Sequence, residues 1–271
     1  MKKVGLVLEG GAMRGLYTAG ILDSLLDTKI KIDGIIGVSA GALFGVNYCS
    51  KQKGRVLRYN TKYINDPRYM SIRSLIKTGN LVNTEFAYKE LPLKLDIFDE
   101  EEYSKSKTDF YAVITNIKTG KPEYKKIINC SIQIDELRAS GSMPFVSKPV
   151  KIDKDYYLDG ALGDSIPVLK MKEMGYDKII VILTRPLDYR KKKSNQLLPK
   201  IMYKKYPNLI NFNPSGTSSL YFLANTISIS LLLTIFLIVV VPLAKDAQII
   251  WICKQKEDAT TSISSPISYK G

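Results

Sequence analysis

The chain has 271 residues, 45% of them hydrophobic and 24% charged, with a formal net charge of +14 and no histidine. That is enough chain for one large domain with a buried core, and its charge favours an anionic partner, nucleic acid or the headgroups of an anionic membrane. The missing imidazole excludes a Ser-His-Asp triad, a Cys-His dyad and most imidazole metal sites, and three widely spaced cysteines (Cys49, Cys130, Cys253) make neither a disulfide framework nor a metal cluster.

In chain order, Val4–Leu8 reads as a first apolar strand. It is too short for the apolar core of a signal peptide, and Glu9 interrupts it. Glu9-Gly10-Gly11-Ala12-Met13-Arg14-Gly15 follows, and then Leu16, Ala19, Leu22, Leu25 and Leu26 recur at helical spacing. A glycine loop opening a helix offers unpaired amides to an anion, or it is a plain turn without a ligand. A dinucleotide fingerprint fails, because the third position from Gly10 is Ala12, and no Walker lysine follows.

Ile35-Ile36-Gly37-Val38-Ser39-Ala40-Gly41 reads as a strand, a tight turn and the start of a helix over Ala40–Cys49. Gly37, Val38, Ser39, Ala40 and Gly41 fit G-x-S-x-G, the nucleophile elbow. The two glycines relieve crowding where strand turns sharply into helix, and the serine hydroxyl is raised to the carboxyl edge of a sheet. With no histidine, a carboxylate or a lysine must take the proton of Ser39. The first fifty residues thus predict a βαβα unit with parallel strands. Both glycine loops then lie at the edge where open α/β sheets bind ligands.

Residues 51–107 are charged and mixed, and predict a solvated, partly helical insertion, with Tyr69–Asn80 and Thr84–Leu91 helical. Phe110–Thr115 is a strand, Thr119–Pro122 a turn, and Glu123–Ile128 its pairing partner. Asp135–Ser140 starts a helix, and Ala139–Phe145 is small and then apolar, fit for a pocket wall or for packing. Tyr156–Asp159 is a strand end that delivers Asp159 onto a Gly160-Ala161 turn. Asp-Gly is a common turn pair, so alone it carries little. A helix to Met174 and a buried-type strand over Lys178–Thr184 complete the pattern.

Three loops in this order, Gly10-Gly11-x-x-Arg14-Gly15, Gly37-x-Ser39-x-Gly41 and Asp159-Gly160-Ala161, resemble the patatin-like phospholipase family over about residues 4–187. The resemblance implies an α/β, patatin-like three-layer fold with a mainly parallel central sheet and helices on both faces. It implies lipid acyl hydrolysis without cofactor or metal, with Ser39 as nucleophile and Asp159 as its proton acceptor. It also implies an oxyanion hole from the loop Gly10, Gly11, Ala12, Met13, Arg14 and Gly15, with Arg14 bracing the loop or biasing it toward anions. The substrate would be a fatty acyl ester at an anionic membrane surface. No nucleic-acid motif is present. A catalytically silent lipid- or partner-binding protein is the alternative.

Beyond about Leu209 the family pattern stops, and no charged residue occurs between Tyr206 and Ala244. Residues 220–244 are long and apolar enough for a transmembrane helix. The domain plan is therefore a hydrolase domain over 1–205, a linker over 206–219, the span, and a polar, disordered tail over 245–271. Basic residues ahead of the span, Arg190 to Lys193 among them, put the catalytic domain in the cytoplasm. This C-terminus reads either as a natural tail anchor or as a disrupted, incomplete domain.

Overall fold

The computed structural model describes residues 2–185, 203–211 and 249–253. Among the described residues eight strands form one sheet: β1 (Val4–Leu8), β2 (Gly34–Val38), β3 (Asp109–Asn116), β4 (Pro122–Lys126), β5 (Val150–Ile152), β6 (Asp155–Asp159), β7 (Lys178–Ile182) and β8 (Ile249–Cys253). Its centre is parallel, with β1 between β2 and β7, and β2 beside β3. The rest is antiparallel: β4 and β6 on β3, β5 on β6, and β8 on β7. The sheet is therefore mixed, and the expected mainly parallel sheet holds only for its core. Short hairpin returns such as the Thr119–Pro122 turn bring strands back antiparallel, whereas a parallel neighbour needs a long crossover.

Alternating side chains of β1 go to opposite faces. Leu6 and Leu8 join Ile35, Phe110 and Ile182 under α1 (Gly15–Leu26) and α2 (Ala40–Cys49). Val7 joins Ile36, Val113 and Val181 under α7 (Val168–Glu173), with Met171 and Tyr176. Both faces are covered, so β1, β2 and β7 are apolar in near-continuous runs. Each such Leu, Ile or Val, fully removed from water, contributes about 1.5–3 kcal/mol.

The region 51–107 is more than a solvated insertion. It carries α3 (Arg55–Tyr63), α4 (Ile72–Thr78), a π-helix (Phe86–Leu95) and α5 (Glu100–Ser104). Val56, Tyr59 and Tyr63 recur at helical spacing and pack with Tyr69, Phe86 and Leu91 against Phe44 of α2. Arg55, itself buried, pairs with Asp96 at the end of the π-helix (3.3 Å), and Arg58 grips the same carboxylate with two bonds of 2.8 and 2.9 Å. Charge here links two helices instead of only facing water.

The expected span over residues 220–244 and the basic run Arg190–Lys193 lie outside the described residues. No helix among the described residues is long and apolar enough to cross a membrane. Ile249–Cys253, expected in a disordered tail, is instead the strand β8, paired from Ile182↔Ile249 to Lys178↔Cys253. The sequence Ile-Ile-Trp-Ile-Cys has the β-branched and aromatic character of a strand.

Candidate active site

The site is assembled on β3. β4 occupies one edge of that strand along Tyr111–Thr115. β2 pairs with Asp109–Val113 and β6 with Ile114–Asn116, so these two strands share the other edge end to end. β2 stops with Val38 opposite Val113, and β6, running the other way, stops with Asp159 opposite Ile114. The residues that follow each strand end must therefore meet.

Ser39 occupies the turn after β2 with φ 55° and ψ −123°, a left-handed conformation rare for a residue with a Cβ. Such strain persists where the surroundings impose it. A Cβ on Gly37 would sit 2.6 Å from the Ala42 Cα, and one on Gly41 would sit 2.5 Å from the Leu8 carbonyl oxygen. Both flanking glycines are thus required by close backbone approach, as the sequence predicts. The Ser39 N–H donates to Ser140 Oγ (3.0 Å) at the end of α6 (Ile134–Ser140). Ala40 opens α2, and the Ala42 and Leu43 N–H groups both donate to the Ser39 carbonyl (3.0 and 3.1 Å).

Ser39 Oγ donates to Asp159 Oδ2 at 2.6 Å, with both residues buried, 3% and 2% exposed. The other carboxylate oxygen, Oδ1, accepts the Ala161 N–H (2.9 Å). The backbone of Asp159 is held on both sides: its N–H donates to the Ser142 carbonyl (2.9 Å), and its carbonyl accepts from Thr115 Oγ1 (2.8 Å). A Cβ on Gly160 would lie 2.1 Å from the Val113 carbonyl oxygen, so only glycine can follow Asp159 here. Burial pushes the Asp159 carboxyl up to about 7, against the lowering effect of its bonds from Ser39 and Ala161.

The Gly10–Gly15 loop lies over Ser39. A Cβ on Gly10 would fall 2.8 Å from the Ser39 Cβ, and one on Gly11 would fall 2.6 Å from Thr184 Oγ1. Ala12 takes φ 50°, Ala12–Arg14 forms a 3-10 turn, and the Gly15 start of α1 packs on Phe44 and Ala40. Met13 and Arg14 are half-buried, and the Arg14 guanidinium lies beside Gly11.

Three supporting residues lay outside the sequence reading of the site. Thr184, just past β7, donates its hydroxyl to the Gly10 carbonyl (2.7 Å) and its N–H to Glu9 Oε2 (2.6 Å). Those bonds tie the glycine loop to the neighbouring strand. Its visible signal was a polar residue ending a buried apolar strand. Ser140 sat in the small-residue stretch that was flagged without a role. Tyr88, on the π-helix, puts its hydroxyl 3.4 Å from where a Gly141 Cβ would stand. Burial pushes its phenol up to about 12, with Arg138 acting downward and Asp159 upward, which keeps it protonated at neutral pH. No cluster of His, Cys, Asp or Glu fit for a metal occurs among the described residues.

The chain is similar to several known proteins. YjjU of Escherichia coli is 28% identical over 194 residues, covering 68% of this chain and 52% of that protein. Lysophospholipase nte1 of Aspergillus oryzae is 26% identical over 192 residues, 69% of this chain and 12% of that one. The probable lipid hydrolase 463L of Invertebrate iridescent virus 6 is 27% identical over 179 residues, 60% of this chain and 61% of that one. The chain thus spans less than two thirds of the length of each of these relatives. The family model described as patatin-like phospholipase matches residues 6–171, and the chain belongs to that family.

Proposed function

We propose that the protein is a serine acyl hydrolase that cleaves fatty acyl carboxylic esters of the phospholipid or lysophospholipid type. The observation that carries this is the 2.6 Å bond between Ser39 Oγ and a buried Asp159 in a chain without histidine. A nucleophile, a base in contact with it and a cradle of amides are the parts that acyl transfer needs.

In the proposed reaction Ser39 Oγ attacks the ester carbonyl as its proton passes to Asp159 Oδ2. Amides of the Gly10–Gly15 loop, with the first turn of α2, stabilise the oxyanion. Collapse expels the alcohol, which takes the proton back from Asp159, and leaves the acyl group on Ser39. Water then attacks the acyl-enzyme and gives its proton to Asp159. The second collapse releases the fatty acid and returns that proton to Ser39. A carboxyl held near 7 suits both directions of transfer, because it gains and loses a proton readily at neutral pH. A net charge of +14 favours a lipid presented at an anionic surface.

The test is labelling by a fluorophosphonate, followed by a panel of lipid esters. Covalent label on Ser39 with release of fatty acid from at least one ester is expected. Unlabelled Ser39 in folded protein, with no ester cleaved, would leave the silent lipid-binding reading in its place.

A further inference from the structure

α4 divides cleanly into two faces. Ser74 is buried, and Leu75 and Thr78 are half-buried toward the domain, where Ser74 Oγ donates to the Asn80 carbonyl (2.8 Å). The opposite arc carries Ile72, Arg73, Ile76 and Lys77, all exposed, with Ile76 at 80% and Ile72 at 48%. Two isoleucines four residues apart stand side by side on a helix. Arg73, Lys77 and Lys148 make no ion pair with a carboxylate among the described residues, unlike Arg55, Arg58 and Arg68 of the same region. Lys148 joins this face because its stem lies against Gly79 at the end of α4, 2.5 Å from where a Cβ would be.

The face is coupled to the Ser39–Asp159 pair by backbone. Just past α4, Leu81 N–H donates to the Val146 carbonyl (2.7 Å), and Asn80 Oδ1 accepts the Lys148 N–H (2.8 Å). The same 142–148 segment begins at Ser142, whose carbonyl holds the Asp159 N–H. We propose that α4 is the membrane-docking element of this protein: Ile72 and Ile76 enter the headgroup boundary of an anionic bilayer while Arg73, Lys77 and Lys148 meet its phosphates. Apolar side chains rimmed by cations are what such an interface selects. The other pair of highly exposed isoleucines, Ile128 and Ile132, does not fit. The Cys130 and Ser131 amides between them bind the Glu100 carboxylate, beside Glu101 and Glu102, and an anionic surface repels that neighbourhood.

This inference rests on the lipid-hydrolase reading for its purpose, and its test is separable from that reading. In the full chain, Ile76→Cys carries a nitrobenzoxadiazole label. Cys253→Ser removes one competing thiol, and Cys49 and Cys130 are buried. Vesicles of phosphatidylcholine with phosphatidylglycerol should shift the label's emission to the blue, and phosphatidylcholine alone should not. Arg73→Gln with Lys77→Gln should weaken the response about 30-fold, from the contribution of each basic residue near an anionic surface. Ile72→Ser with Ile76→Ser should slow hydrolysis of vesicle phospholipid about tenfold and leave a soluble p-nitrophenyl ester untouched. An aqueous emission in excess anionic vesicles overturns the proposal. So does an equal response from a label at Ile132→Cys, or a vesicle-free response that grows with protein concentration and marks a second copy. A wild-type chain that cleaves no ester while the Ile76 label responds would remove the hydrolase reading and leave the docking surface standing.

Discussion

Val38 and Asp159 are the last residues of two strands that run toward each other along one edge of β3, opposite the adjacent residues Val113 and Ile114. Ser39 and Asp159 are 120 positions apart in the chain, and this head-on arrangement puts Oγ 2.6 Å from Oδ2. Neither side chain has to reach far, and the backbone of each is pinned by the Ser140–Ser142 segment.

The first prediction concerns the proposed chemistry. Ser39→Ala and Asp159→Asn should each lower hydrolysis of a p-nitrophenyl acyl ester on the order of 10⁴-fold, the scale seen when one member of a catalytic unit is removed. Circular dichroism and the unfolding midpoint should stay those of a folded protein. Activity near the wild-type level in either variant would exclude the assigned roles.

A pH profile tests the base. Asp159 must be ionised to accept a proton, so kcat/KM should rise with pH and level off above an inflection near about 7. The stability effect has the opposite direction. The folded pKa lies above the ordinary 3.8, so the folded state holds the extra proton between those values. Stability is therefore lost as pH rises from 3.8 toward 7 and is level beyond it. Asp159→Asn should remove that dependence, and its melting temperature should gain on wild type as pH climbs through this window. Parallel curves for the two proteins would refute the burial argument.

Thr184 offers a test of loop positioning. Thr184→Val keeps shape but removes the hydroxyl bond to the Gly10 carbonyl. Misplacing the glycine loop should cost kcat about 10²-fold, with KM little changed. Thr184→Ser, which keeps the hydroxyl, should recover most of it. Equal loss in both variants would point to packing instead.

Asp96 tests the ion-pair network. Asp96→Ala would leave the buried Arg55 guanidinium without its carboxylate, and Arg58 loses the same partner. Stranding a buried charge costs about 3–5 kcal/mol. The unfolding midpoint should fall accordingly, read by urea denaturation. A loss under about 1 kcal/mol would mean that solvent reaches Arg55 and replaces the pair.

The legible parts of this chain were those that depend on neighbours in sequence. Ala40–Cys49 was read as a helix with its observed bounds, because it begins at a glycine turn and stays small and apolar to its end. The hairpin β3–β4 was visible in its Thr-Gly-Lys-Pro turn. Region 51–107 was read as solvated because its charges were counted singly. Arg55 and Asp96 lie 41 positions apart, and no local pattern pairs them. β8 was missed for a like reason: five residues after a long apolar stretch show a strand only once an edge of β7 is there to receive them.

By itself the sequence determined the kind of chemistry open to this protein. Without imidazole a serine needs another base, and glycine at positions 10, 37, 41 and 160 leaves room for backbone to crowd around a hydroxyl. Only the tertiary structure decided that the Asp159 carboxylate lies against Ser39, how far burial lifts it, and which threonine and serine hold the loops. Strand direction and partner are set by long-range pairing across the whole sheet. An Asp-Gly turn has no preferred neighbour until β6 comes back along β3 and stops beside Ser39.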